Sequence, residues 1–241
     1  MECAGAGNLH CHTPPMLLTF DLFSALIDSR TGASAVLGAM AAARAWDVDG
    51  DRLYAVWDAR NKASQRDEST WIPFAEHSRR ALAGAYAELD LDGDADDDVV
   101  SLLQSVDSWP LWPDVAAGLP ALSARYAVGV LSNVDDAIFA RTAVAPLVAD
   151  DAVLTSERLH AYKPAPEIYR RARQRAGGAL VHVATSARDV RGAQDAGIEL
   201  IRLRRPGHDI HPSDVHGVTE VTKIAQVSGA LERKEAERAS S

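Results

Sequence analysis

The chain has 241 residues, 47% hydrophobic and 24% charged, an ordinary globular composition with length for one large domain or one and a half. A formal net charge of −9 argues against nucleic acid or an anionic membrane surface as partner, because nothing would offset phosphate repulsion. The sequence shows no apolar run long enough to cross a bilayer and no signal-peptide pattern, and both cysteines, Cys3 and Cys11, lie near the start, so the reading is a cytoplasmic protein without a disulfide framework.

Residues 1–15 mix Gly, Ala, Asn and a Pro-Pro pair without helical or strand period and read as a disordered leader. Within them His10-Cys11-His12 carries soft metal ligands, but neighbours on an extended chain point to opposite sides, which weighs against a metal site. Met16, directly before the first strand pattern, is a second candidate for the translation start. From Leu17 the apolar or β-branched residues Leu17, Leu18, Thr19 and Phe20 run straight into Asp21. That is the pattern of a strand buried on both faces, delivering one acid to the end where ligands gather in an open parallel sheet. On this stretch alone Asp21 is either a reactive carboxylate or the cap of the following turn.

From Arg30 to Ser108 the pattern is helical without strands: Ala33 to Ala45, Asp51 to Lys62 with Leu53, Val56 and Trp57 at helical spacing, Trp71 to Leu89, and Asp98 to Val106. The acidic run Asp90 to Asp98 reads as a solvated loop, and the whole as a small bundle inserted after the first strand. Trp57, Trp71 and Trp109 read as core or interface anchors. Beyond Trp109 strands and helices alternate, the signal of a parallel sheet with crossover helices. Strands are expected at Tyr126 to Leu131, Ala152 to Thr155, Leu180 to Ala184 and Glu199 to Leu203, making about five with the first. The crossover helix Asp114 to Arg125 contains Gly118 and Pro120 and should kink or start late, and the charged tail from Glu232 should fray.

Four separated signals occur in the order used by the haloacid dehalogenase superfamily, and the chain resembles it from Met16 to about Val227. Asp21 matches the nucleophile position; Ser132-Asn133, after Val128-Gly129-Val130-Leu131, matches the second motif; Lys163, in Tyr162-Lys163-Pro164, the third; Asp189, after Thr185-Ser186-Ala187-Arg188, the closing acid of the fourth. The resemblance implies a Rossmann-like α/β core over 16–29 and 109–241, with residues 30–108 as a helical cap over the site. It also implies roles. Asp21 attacks an electrophilic centre to form an ester that water later opens. Lys163 keeps that carboxylate ionised, and Asp189 holds Lys163 or activates the water. Ser132 and Asn133 donate hydrogen bonds to a substrate carboxylate or phosphate at a helix N-terminus. Phe23, Ser186, Trp57 and Arg60 complete the expected substrate-binding set. The plainer reading of Ser132, Asn133 and Asp189 is helix capping, and of Lys163 a surface lysine.

Departures from the motifs narrow the reading. Superfamily phosphatases carry aspartates where this chain has Phe23 and Thr185, so the general acid and one magnesium ligand are missing. An aromatic residue at position 23 resembles the metal-free 2-haloacid dehalogenase branch, as do Tyr162-Lys163-Pro164 and the Trp57 helix. That branch in turn has Gly-Thr where Ser24-Ala25 stands, Ser and Asn where Ala184 and Ser186 stand, and a halide-binding arginine at Asp58. Arg60 lies two residues on, rotated by roughly 200°. Three readings result. The first is a hydrolase of the 2-haloacid dehalogenase type acting on a small organic acid without cofactor; the second is a catalytically weakened binder of a small anion or protein; the third is a phosphatase, the only one to need magnesium. A homodimer is compatible with each.

Overall fold

The computed structural model of the protein describes residues 16–67, 70–211 and 217–239. The readings of residues 1–15, with His10-Cys11-His12, and of the last two residues of the tail fall outside these.

The first strand, β1 (Leu17–Phe20), is buried at all four positions, as its unbroken apolar run requires. It lies inside a sheet whose strands are all parallel. The others are β2 (Ala127–Ser132), β3 (Val153–Thr155), β4 (Leu180–Ala184), β5 (Glu199–Leu203) and β6 (Thr219–Val221), in the order β3-β2-β1-β4-β5-β6. Connections run outward in opposite directions from β1 and β4, which opens a crevice at their carboxyl ends, and Asp21 stands at its edge. The expectation of five strands is corrected to six among the described residues: β6 spans only three residues, Thr-Glu-Val, too short to carry a periodic signal.

The insertion after β1 carries four helices, α1 (Ser29–Ala43), α2 (Gly50–Asp67), α3 (Phe74–Leu89) and α4 (Ala95–Gln104). Successive helices pack on one another around Leu37, Leu53, Leu82 and Leu102, all fully buried. The acidic run is only partly loop. Asp94 caps α4 by accepting from the N–H of Asp96 and Asp97, and the first turn takes up Asp96, Asp97 and Asp98, where the helix dipole favours negative charge. Asp98 is buried and held by Arg44 at 2.7 and 2.8 Å. Helix α3 starts at Phe74 rather than Trp71. Its local cap, Pro73, offers no side-chain acceptor, and Asp135, from the loop after β2, takes the N–H groups of Phe74 and Ala75 at 2.7 and 2.9 Å.

The remaining helices are α5 (Val115–Ser123), α6 (Asp136–Phe139), α7 (Ser156–Leu159), α8 (Pro166–Arg175), α9 (Ala187–Asp195) and α10 (Val227–Ala239). Helix α5 begins one residue after Asp114 and runs through Pro120. Gly118 is required there, since a Cβ would come within 2.7 Å of Ile224. The tail does not fray at Glu232: α10 is anchored by the buried Val227, Ala230 and Leu231, and Glu232 pairs with Arg125.

Candidate active site

Asp21 follows β1 directly, its N–H donating to Val183 O at 3.0 Å, so the strand register fixes where the carboxylate emerges. The residue is 7% exposed. Oδ1 accepts from Lys163 Nζ at 2.7 Å and Oδ2 from Ser24 Oγ at 3.1 Å. Ser24 has φ 74°, a left-handed conformation that strains a non-glycine residue by about 1–2 kcal/mol. The Gly of the resemblance would sit there without strain. Serine instead supplies a hydroxyl that fixes the carboxylate.

Lys163 is 5% exposed and uses all three ammonium protons, on Asp21, on Leu131 O at 2.9 Å and on Asp189 Oδ2 at 2.6 Å. Burial pushes its pKa down, but the charges of Asp189 and Asp21 outweigh that and hold it above the ordinary lysine value. Asp189 is equally enclosed. Burial opposes its ionisation, yet Lys163 and the His182 ring hold its carboxyl below the usual range. Its other oxygen accepts from Tyr169 OH at 2.7 Å, and burial together with Asp189 raises that phenol's pKa. His182 bridges Asp189 at 3.0 Å and Thr19 Oγ1 at 3.0 Å from the neighbouring strand, where the parallel register sets it opposite Thr19.

Other expected site residues take different places. Ser132 ends β2 in the pocket wall, 1% exposed. Asn133 also lines the pocket, but its amide is already committed: Oδ1 accepts from Lys163 N at 2.7 Å, and Nδ2 donates to Lys163 O at 3.0 Å and Gln65 Oε1 at 2.8 Å. It positions the lysine rather than offering donors to a substrate. The helix N-terminus expected after Ser132-Asn133 is corrected as well. Helix α6 starts only at Asp136, spans four residues, and has the N–H of Asp136 satisfied by Glu157 at 2.7 Å. Ser186 lines the pocket and caps α9 by accepting from Asp189 N. Phe23 stands between Phe74 and Trp109, ring centroids 6.0 and 5.7 Å away, and Trp57 reaches the wall from α2. Arg60 does not join them: it pairs with Glu88 on the outer face, in keeping with its rotation of roughly 200° about the helix from Asp58.

Several lining residues lay outside the site set expected from the sequence. Asp58 and Lys62, a pair on α2, face the cavity with Asn61 and Gln65. Arg188 opens α9 and donates to Lys62 O, Gln65 Oε1 and Lys163 O, neutral acceptors throughout. Its adjacency to Asp189 was the available signal. His208 enters from the loop after β5, where Pro206-Gly207 marks a turn. His182 was legible as one polar residue inside an apolar strand, which demands a buried partner.

The cavity measures about 120 Å³, room for a small acid and little more. Its donor set does not suit magnesium. Thr185, fully buried, turns its hydroxyl to Leu203 O at 2.8 Å, the Phe23 side chain has no oxygen to offer, and the Lys163 ammonium occupies the space between the two carboxylates.

The six-stranded parallel sheet and its helical insertion after β1 make a Rossmann-like α/β fold, with a buried charged cluster at the crevice. A family model for haloacid dehalogenase-like hydrolases matches residues 15–197, and the chain belongs to that family. No curated protein matches it. Solved structures share its fold. A defluorinating L-2-haloacid dehalogenase is 24% identical, with 90% of this chain and 95% of that chain covered and a TM-score of 0.77. The L-2-haloacid dehalogenase from Xanthobacter autotrophicus is 19% identical, with 90% and 98% covered and a TM-score of 0.74. The same enzyme with chloropropionic acid covalently bound is 20% identical, with 90% and 98% covered and a TM-score of 0.73.

Proposed function

We propose that the protein is a hydrolase of the 2-haloacid dehalogenase type, in which Asp21 attacks the carbon next to a carboxylate and displaces a halide or related leaving group. The observation that carries this reading is the Lys163 ammonium shared between Asp21 and Asp189, with Oδ2 of Asp21 held, among the described residues, by Ser24 alone at the pocket wall. Ser24 holds the attacking oxygen in a defined direction, and Lys163 offsets the charge that develops when the ester later collapses. Arg188 supports the choice of an acid substrate. Burial lowers its pKa, but a guanidinium stays charged at any working pH, and its hydrogen bonds to neutral acceptors leave that charge to attract a carboxylate. Phe23, Trp57 and Trp109 supply an apolar wall for the rest of a small substrate.

Asp58 favours a second reading, a site that binds a small anion without turnover, because its carboxylate in the wall would repel a departing halide. Lys62, paired with it at 2.5 Å, offsets that repulsion. The test is a single turnover in heavy-oxygen water with enzyme in excess over L-2-chloropropionate and EDTA present. Label is expected in the peptide containing Asp21, with the hydroxy acid largely unlabelled, and Asp21→Asn should abolish chloride release. Label confined to the product would overturn covalent catalysis. Loss of turnover in EDTA, restored by magnesium, would select a phosphatase-like metal site, and binding without turnover the second reading.

A further inference from the structure

The loop after β5 is built with more buried charge than a surface turn needs. Arg205-Pro206-Gly207-His208 closes through His208 N–H to Arg205 O at 3.2 Å, with Gly207 at φ 74°, the left-handed position that a type II turn reserves for glycine. Two buried arginines pin it. Arg202 donates to His208 O at 2.7 Å, while Arg205 donates to Ala25 O at 3.0 Å and to Asp114 at 2.7 Å and lies over the Trp112 ring. The turn is thereby tied to the segment that carries Asp21, and it delivers His208 to the same pocket. Neither ring nitrogen of His208 has a hydrogen-bond partner among the described residues.

We infer that His208 is the general base that opens the Asp21 ester, an inference that rests on the covalent reading above. Water between the two gives one proton to the imidazole while its oxygen bonds to Cγ of Asp21. The tetrahedral species then breaks the bond from Cγ to the product oxygen, which takes the proton back from the imidazolium and leaves as the hydroxy acid. Asp21 is left as a carboxylic acid and loses its proton to solvent beside Lys163. The electrostatic setting suits a neutral imidazole. Burial and Lys62 push its pKa below the ordinary histidine value, opposed by Asp21, Asp58 and Asp28, while Arg202 on β5 and Arg205 on its own loop are paired with Glu220 and Asp114.

Rapid-quench kinetics of His208→Gln with L-2-chloropropionate test this. The expected result is a burst of one chloride per enzyme at the wild-type rate, then turnover slowed by about 100-fold or more, with the ester found on the Asp21 peptide by mass spectrometry. His208→Ala should recover turnover with added imidazole and lose the decline in rate at low pH. Wild-type turnover without ester accumulation in either variant, or a burst slowed as much as the steady state, would overturn the role of His208. A wild-type protein that releases no chloride from any 2-haloacid would instead remove the covalent reading beneath it.

Discussion

One ammonium shared by two carboxylates dominates the site at the scale of single residues. Burying three charges is expensive, and here the geometry repays it only because each Lys163 proton meets an acceptor. Removing the cation would leave Asp21 and Asp189 enclosed without a counter-charge. Lys163→Met should therefore lower the unfolding free energy by about 3–5 kcal/mol and abolish turnover. Urea denaturation beside a single-turnover assay checks both, and a stable but inactive variant would show that the charges relax when the lysine is gone. Asn133 sits one step behind. Its amide clamps the Lys163 backbone from both sides, so its contribution acts through the lysine.

Helix α3 shows how elements of the core and the insertion are joined. Its first N–H groups have no local acceptor because Pro73 precedes them, and the Asp135 carboxylate from the loop after β2 takes their place. Phe74, the first residue of that helix, packs on Phe23 beside the candidate nucleophile. Asp135→Ala should cost about 1–2 kcal/mol, the range for a lost helix cap. Because the same bonds tether the helix over the pocket, KM should rise more than kcat falls. Equal loss in both, or a stability change within experimental error, would show that the tether does not set the position of α3.

For the whole molecule, the buried cluster sets a pH window. Asp189 has a folded pKa below its ordinary value, so its contribution is complete above the ordinary aspartate pKa and is lost as pH falls through the folded one. Lys163 has a folded pKa above its ordinary value, so its contribution is complete below the ordinary lysine pKa and is lost as pH rises through the folded one. Between about pH 4 and about pH 10 both should be present. Melting temperatures of wild type and Asp189→Asn should differ across that plateau and converge on acidification. A difference that stays constant to the lowest pH would assign the stability of the cluster to other groups.

Local pattern determined the layout of this protein. An unbroken apolar run ending in Asp21, alternating strands and helices after Trp109 and helical spacing between them specify a parallel α/β sheet with an insertion, because burial on two faces and helical amphipathicity write themselves into consecutive residues. Strands β4 and β5 occupy the expected residues, whereas β6 was illegible because three residues carry no period. Tertiary structure alone decided what depends on residues far apart in the chain. The start of α3 waits on Asp135, some 60 positions away, and Asp98 is buried because Arg44 meets it. Asn133 is turned from a candidate ligand into a clamp by Lys163, and His208 is carried into the pocket by a Pro-Gly turn whose anchors are Arg202 and Arg205. Sequence spacing fixes which face of one element a side chain occupies. Which side chains meet across elements is set by packing, and in this pocket that is where the hydrogen bonds to Lys163 and the approach of His208 are decided.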